Sequence, residues 1–133
     1  MQSPTTPLCR GDTYLDDGGV RVDAVRHLWV VCSDGNAAEV VVVSVTTYRS
    51  DRQDTTCPID IGDHPFIKRT SVAYYHGAEV RSRVKIQQLL DDGSYRGRET
   101  IDPIALDRIV AGFGRSPHAP PECVELLEQQ GLL

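Results

Sequence analysis

"EVVVVSVTT", residues 39–47, is the strongest strand signal in the chain. Val40 to Val43 are β-branched residues, which fit the pleated surface of a strand. Successive strand side chains point to opposite faces. An unbroken apolar run therefore needs cover on both sides, as a central or barrel strand has. Turn-forming residues, "SDGN" at 33–36, precede it. Before that turn, "HLWVVCS" at 27–33 predicts another strand. "GDTYL" at 11–15 predicts a short opening strand, and "DDGGVRVDAV" at 16–25 a loop.

After the valine strand, "YRSDRQDTT" at 48–56 is a polar loop. "CPIDI" at 57–61 predicts a strand whose Pro58 marks a sheet edge or a strand start. "TSVAYY" at 70–75 predicts another. "AEVRSRVKI" at 78–86 alternates Val80, Val84 and Ile86 with cations and predicts one more, ended by the turn "DDGS" at 91–94. Then the period changes. In "IDPIALDRIVAGFG", 101–114, Asp102 is an N-cap and Pro103 the first helical residue. Leu106, Ile109, Val110 and Phe113 form one helical stripe. "APPECVELLEQQG" at 119–131 predicts a second helix, opened by prolines and closed by Gly131. Strands first and helices last argue for a small antiparallel barrel or curled sheet with helices packed at the C-terminus.

A chain of 133 residues makes one domain. We divide it into a loose leader (1–10), a β-barrel region (11–90) and C-terminal helices (101–131). The net charge of −5 argues against a dedicated duplex-DNA binder, which is usually basic. No apolar run approaches the roughly 20 residues of a membrane span. The N-terminus has no signal pattern, so a cytoplasmic protein with no membrane role is expected. Cys9, Cys32, Cys57 and Cys123 form no C-x-x-C, and no Cys or His pair has ligand spacing. No disulfide framework, metal or cofactor is expected, and the cysteines read as mostly buried small apolar groups.

Phosphate-cradling glycine loops, G-x-S-x-G elbows and H-E-x-x-H pairs are absent from the sequence. The candidates for chemistry are single residues at strand ends. His27 opens the tryptophan strand beside Arg26. It reads either as a proton donor or acceptor near neutral pH or as a half-exposed strand residue. Thr46 and Thr47 close the valine strand, with Arg49 nearby. Their hydroxyls suit a phosphate contact, or serve only as strand and turn formers. In "GDHPFIKRT", 62–70, Pro65 holds His64 extended, and Asp63 either orients that ring or caps a turn. Lys68 and Arg69 suit a phosphate backbone, or a solvated loop anchored by Phe66. Arg49, Arg52, Lys68, Arg69, Arg81, Arg83 and Lys85 cluster in mid-chain and are expected to share one basic face if their strands are neighbours.

The order of elements resembles the MazF/PemK toxins of bacterial toxin–antitoxin pairs, over roughly residues 11–114. "GDTYL", "RHLWVVCSD", "VVVVSVTT", "SVAYYHGAEV" and "IDPIALDRIVAGF" carry the likeness in order. It implies a small SH3-like antiparallel β-barrel with a C-terminal helix, pairing as a homodimer, with an antitoxin protein as partner. It also implies metal-independent cleavage of single-stranded RNA by attack of the 2′-hydroxyl on the neighbouring phosphate. The family uses an Arg after its first long loop and a Ser/Thr at the next strand's end. By position the Thr is Thr46. The Arg falls on His27, with Arg26 one residue before, and the family's following Pro is Leu28. The "GDHPFIKRT" segment is not a feature of the standard toxins. The catalytic candidates are therefore His27 and Thr46 by position and His64 by its own chemistry, with Arg26, Thr47, Arg49, Lys68 and Arg69 as RNA contacts. The alternative reading is a non-catalytic SH3-like barrel that binds a protein or nucleic acid.

Overall fold

The computed structural model describes residues 7–16 and 27–133. Its strands are β1 (Thr13–Leu15), β2 (Leu28–Val31), β3 (Glu39–Thr47), β4 (Pro58–Ile59), β5 (Ser71–Ala73), β6 (Glu79–Ser82) and β7 (Arg96–Arg98). Its helices are α1 (Arg83–Asp91), α2 (Pro103–Phe113) and α3 (Pro121–Gln129). The protein is mainly β, with one antiparallel seven-stranded sheet in the order β4-β5-β3-β2-β1-β7, and with β6 also paired to β3. The valine stretch is its centre. β2 pairs with Val42–Val45 along one edge of β3. Along the other edge, β6 pairs with Glu39–Val42 and β5 with Val45–Thr47. A 3-10 turn at Tyr75–Gly77 loops out between β5 and β6.

Both faces of β3 are covered, but not along the same length. Val41, Val43 and Val45 enter the main core with Leu28, Val30, Ile59 and Ala73, against Leu106, Ile109, Val110 and Phe113 of α2. Val40 and Val42 face the other way. They enter a second core with Leu8, Tyr14, Val31 and Ile86 of α1. Ser44 and Thr46 continue that second face and line an open groove instead. Ser44 is still buried, and Thr46 is the first residue of this face to be partly exposed.

The expected strand over 78–86 stops at Ser82, and α1 follows. The Ser82 hydroxyl accepts from the Lys85 N–H at 3.3 Å, which caps a helix start. Ile86 and Leu90 then meet the second core at helical spacing. Helix α2 starts as the sequence predicts. Asp102 Oδ2 accepts from the Ile104 and Ala105 N–H groups, each at 3.1 Å. Replacing Asp102 with Ala is expected to lower the unfolding free energy by about 1 kcal/mol. A lower urea midpoint at unchanged slope would report it.

Closure into a barrel is corrected: the sheet is not closed by strand pairing. Its two ends are β4, two residues long with Pro58 lacking an N–H donor, and β7, three residues long. Such short edges offer few groups to pair. Hydrogen bonds from the "GDH" turn link the segments after them. The Asp63 carbonyl accepts from the Asp102 N–H at 3.0 Å, and His64 Nε2 lies 2.6 Å from the Glu99 carbonyl.

Of the expected loose leader, residues 1–6 lie outside the described residues, as do Arg26 and most of the 16–25 loop. Leu8 is buried in the second core, and its N–H donates to Gln87 Oε1 at 3.1 Å. Near the C-terminus, Leu127 is buried and Leu126 and Leu132 pack against the main core. Cys32, Cys57 and Cys123 are buried free thiols, while Cys9 is exposed. Among the described residues, no helix is long and apolar enough to cross a membrane.

Candidate functional site

The open face of β3 is the floor of the site. Ser44 lies opposite Trp29, and its carbonyl accepts from the Tyr74 N–H at 2.8 Å. One step along, Thr46 lies opposite Val72 on β5. On the β2 side, Leu28 faces Val45, and the next register position sets His27 beside Thr46. His27, Trp29, Ser44, Thr46, Val72 and Tyr74 line a groove of about 680 Å³, walled by Arg52, Gln53, Asp54, His76, Gly77 and His118. A second groove of about 300 Å³ shares His27 and Thr46 with it. Thr47, Arg49, Phe66, Lys68, Arg69 and Ser71 also line this second groove.

Local chemistry fixes the walls. Gln53 clamps the β3–β4 loop: its Oε1 accepts from the Arg49 and Ser50 N–H groups, and its Nε2 donates to the Thr47 carbonyl. That clamp sets Arg49 and Arg52 at the groove rim. Asp54 accepts from the Thr56 and Ser116 hydroxyls. The Ser116 contact brings the loop after α2 to the groove, and with it His118. Burial would raise the Asp54 carboxyl, but the bonds from Ser116 and Thr56 and the nearby His118 outweigh it and hold the pKa below the ordinary value. The His76 and His118 rings meet edge to face at 6.2 Å between centroids. Tyr74 packs against the turn, where a Cβ on Gly77 would stand 2.6 Å from its ring.

The structure gathers His27, Thr46, Thr47, Arg49, Lys68 and Arg69 around one groove. None of the salt bridges among the described residues uses Arg49, Arg52, Lys68 or Arg69. Arg26 lies outside the described residues. The expected single basic face divides in two. β3 is nine residues long, so its ends stand roughly 25 Å apart at about 3.3 Å per residue. Arg81 pairs opposite Val40 at the far end, where its guanidinium contacts Tyr95 and Glu79.

His64 is corrected as a groove residue. It is 2% exposed, and both ring nitrogens are engaged. Nδ1 accepts from the Phe66 N–H at 3.0 Å, so the proton sits on Nε2, beside the Glu99 carbonyl at 2.6 Å and Thr13 Oγ1 at 2.9 Å. Asp63 does not touch the ring. Its Oδ2 accepts from the Asp60 N–H and from Arg108, each at 2.8 Å. The "GDH" turn is a clasp, and the part of the segment that reaches the second groove is Phe66 to Arg69.

Burial lowers the His64 pKa, with Arg98 adding to the effect and the Glu99 carbonyl and carboxylate opposing it. The folded value thus lies below the roughly 6.5 of the unfolded chain. Between the two, the unfolded state holds more protons, so stability is lost as pH falls through about 6.5 and levels off below the folded value. Urea midpoints measured from pH 8 to pH 5 are expected to drop in that window. The drop should flatten in His64→Gln, which keeps an N–H for Glu99 but does not titrate.

The sequence reading missed Trp29, Tyr74, His76 and His118 as groove residues. His76 sits on the 3-10 turn and His118 in a loop held by a contact 62 residues away, so no local pattern marks either. Among the described residues, no three His, Cys, Asp or Glu side chains are arranged to hold a metal ion. In comparisons with known proteins, no family model and no curated protein matches the chain.

Proposed function

We propose that the chain is a toxin-like, metal-independent endoribonuclease that cleaves single-stranded RNA, on an SH3-like fold of the MazF/PemK kind. One observation carries the reading. Thr46, Thr47, Arg49, Lys68 and Arg69, all singled out in the sequence, line a single groove together with His27. Exposed Arg49, Lys68 and Arg69 suit successive phosphates of a backbone. Thr46 sits where its hydroxyl can hold a phosphate oxygen.

The reaction needs two proton transfers. A base takes the 2′-hydroxyl proton as that oxygen bonds to phosphorus. The bond from phosphorus to the 5′-oxygen breaks, and an acid protonates the leaving oxygen. The products are a 2′,3′-cyclic phosphate and a 5′-hydroxyl. His27 takes one of these roles in our reading, because an imidazole can give or take a proton near neutral pH. His76 or His118, lining the adjoining part of the groove, takes the other.

An antitoxin protein as partner and a homodimer belong to the same proposal. An acidic antitoxin segment would find Arg49, Lys68 and Arg69 complementary. The test is to incubate the purified chain with single-stranded RNA, and with DNA of the same sequence, in EDTA. Cleavage of the RNA alone is the expected result, since DNA lacks the attacking hydroxyl. The missing Arg-Pro, replaced here by His27 and Leu28, favours the non-catalytic alternative. Salt-sensitive binding that leaves the RNA intact would decide for it.

A further inference from the structure

We propose that the larger part of the groove is a nucleobase subsite, in which one unstacked base of an RNA strand lies against Trp29 and Tyr74. The inference rests on the endoribonuclease reading and names what holds the substrate beside the scissile phosphate. Three observations lead to it. The cavity of about 680 Å³ falls within the about 300–1,000 Å³ of small-ligand clefts. Its lining includes the aromatic side chains Trp29 and Tyr74 with Val72, Ser44 and Thr46, and Tyr74 is 44% exposed although Gly77 packs against its ring. It runs into the cation-lined groove through His27 and Thr46, which border both.

A strand whose phosphates follow Arg49, Lys68 and Arg69 therefore has room for a base on the other side of His27. Flat aromatic faces beside a cationic track are how single-stranded nucleic acids are held. The carboxylate at the wall stays ionised, which sets a neutral base and not a phosphate beside it. Asp54 already accepts from Thr56 and Ser116 and lies near His118. Arg52 at the rim adds a donor for a base edge.

The chain has one tryptophan, Trp29, so its emission reports directly on this cavity. The probes are a 2′-O-methyl tetranucleotide, which cannot attack its own phosphate, and an abasic strand of the same charge. The tetranucleotide is expected to quench Trp29 on binding. The abasic strand is expected to bind at least about ten-fold more weakly and without quenching, and Tyr74→Ala to weaken the tetranucleotide about ten-fold. Equal binding of both strands with unchanged emission would overturn the subsite, as would full affinity in Tyr74→Ala. The two proposals fail separately. Cleavage of natural RNA without quenching removes the subsite alone, whereas quenching without cleavage removes the nuclease alone.

Discussion

Changing His27 to Ala is expected to lower the rate of RNA cleavage by about 100-fold or more, the usual contribution of a positioned general acid or base. The loss should fall on catalysis and not on folding. His27 is only partly buried, precedes β2, and points to the groove shared by Thr46 and the cations. A substitution away from the packed cores typically shifts stability by no more than about 0.5 kcal/mol, so the urea midpoint should hardly move. His27→Arg separates two roles. It restores the charge that the resemblance expects there, but an Arg does not exchange its proton at neutral pH. Strand affinity is expected to rise while cleavage stays low. Recovered cleavage in His27→Arg would mean that phosphate neutralisation, not proton transfer, limits the reaction.

The largest effect on stability is expected from Phe113→Ala, at about 3–5 kcal/mol. Phe113 is buried at the C-terminal end of α2 and meets the Tyr75 ring edge-on at 4.9 Å. The Tyr75 hydroxyl donates to the Ile109 carbonyl at 2.7 Å, one turn earlier on the same helix. Removing the Phe113 ring opens a cavity beside that buried hydroxyl, in a core already close-packed: a Cβ at Gly112 would stand 1.9 Å from the Tyr75 oxygen. The consequence reaches the site, because Tyr75 begins the turn that carries His76. Chemical denaturation gives the loss directly, and a small change there would show that α2 does not hold the sheet as described.

What the sequence made legible was periodic. β3 follows the valine run residue for residue, and α2 follows its cap and stripe, because both patterns arise from the chain's own geometry. The failures came where a short pattern was ambiguous or the deciding partner was remote. Val80, Val84 and Ile86 alternate as a strand would, yet the Ser82 cap and the turn-spaced Ile86 and Leu90 win, giving a helix. His64 had every local mark of a site residue. Its partners Thr13 and Glu99 lie 51 and 35 residues away, so its role as a clasp could not be read from its neighbours. His27 and Thr46 were legible as candidates because strand ends expose side chains. The groove they share was not, since it depends on which half of the second face α1 covers.

We propose that the groove at His27 and Thr46 cuts RNA through the 2′-hydroxyl. End-group analysis of RNA incubated in EDTA with the wild type and with His27→Ala tests it most directly. The wild type is expected to leave 2′,3′-cyclic phosphate and 5′-hydroxyl ends, and the variant about 100-fold fewer. Intact RNA, 5′-phosphate ends, or equal cleavage by the two proteins would contradict it.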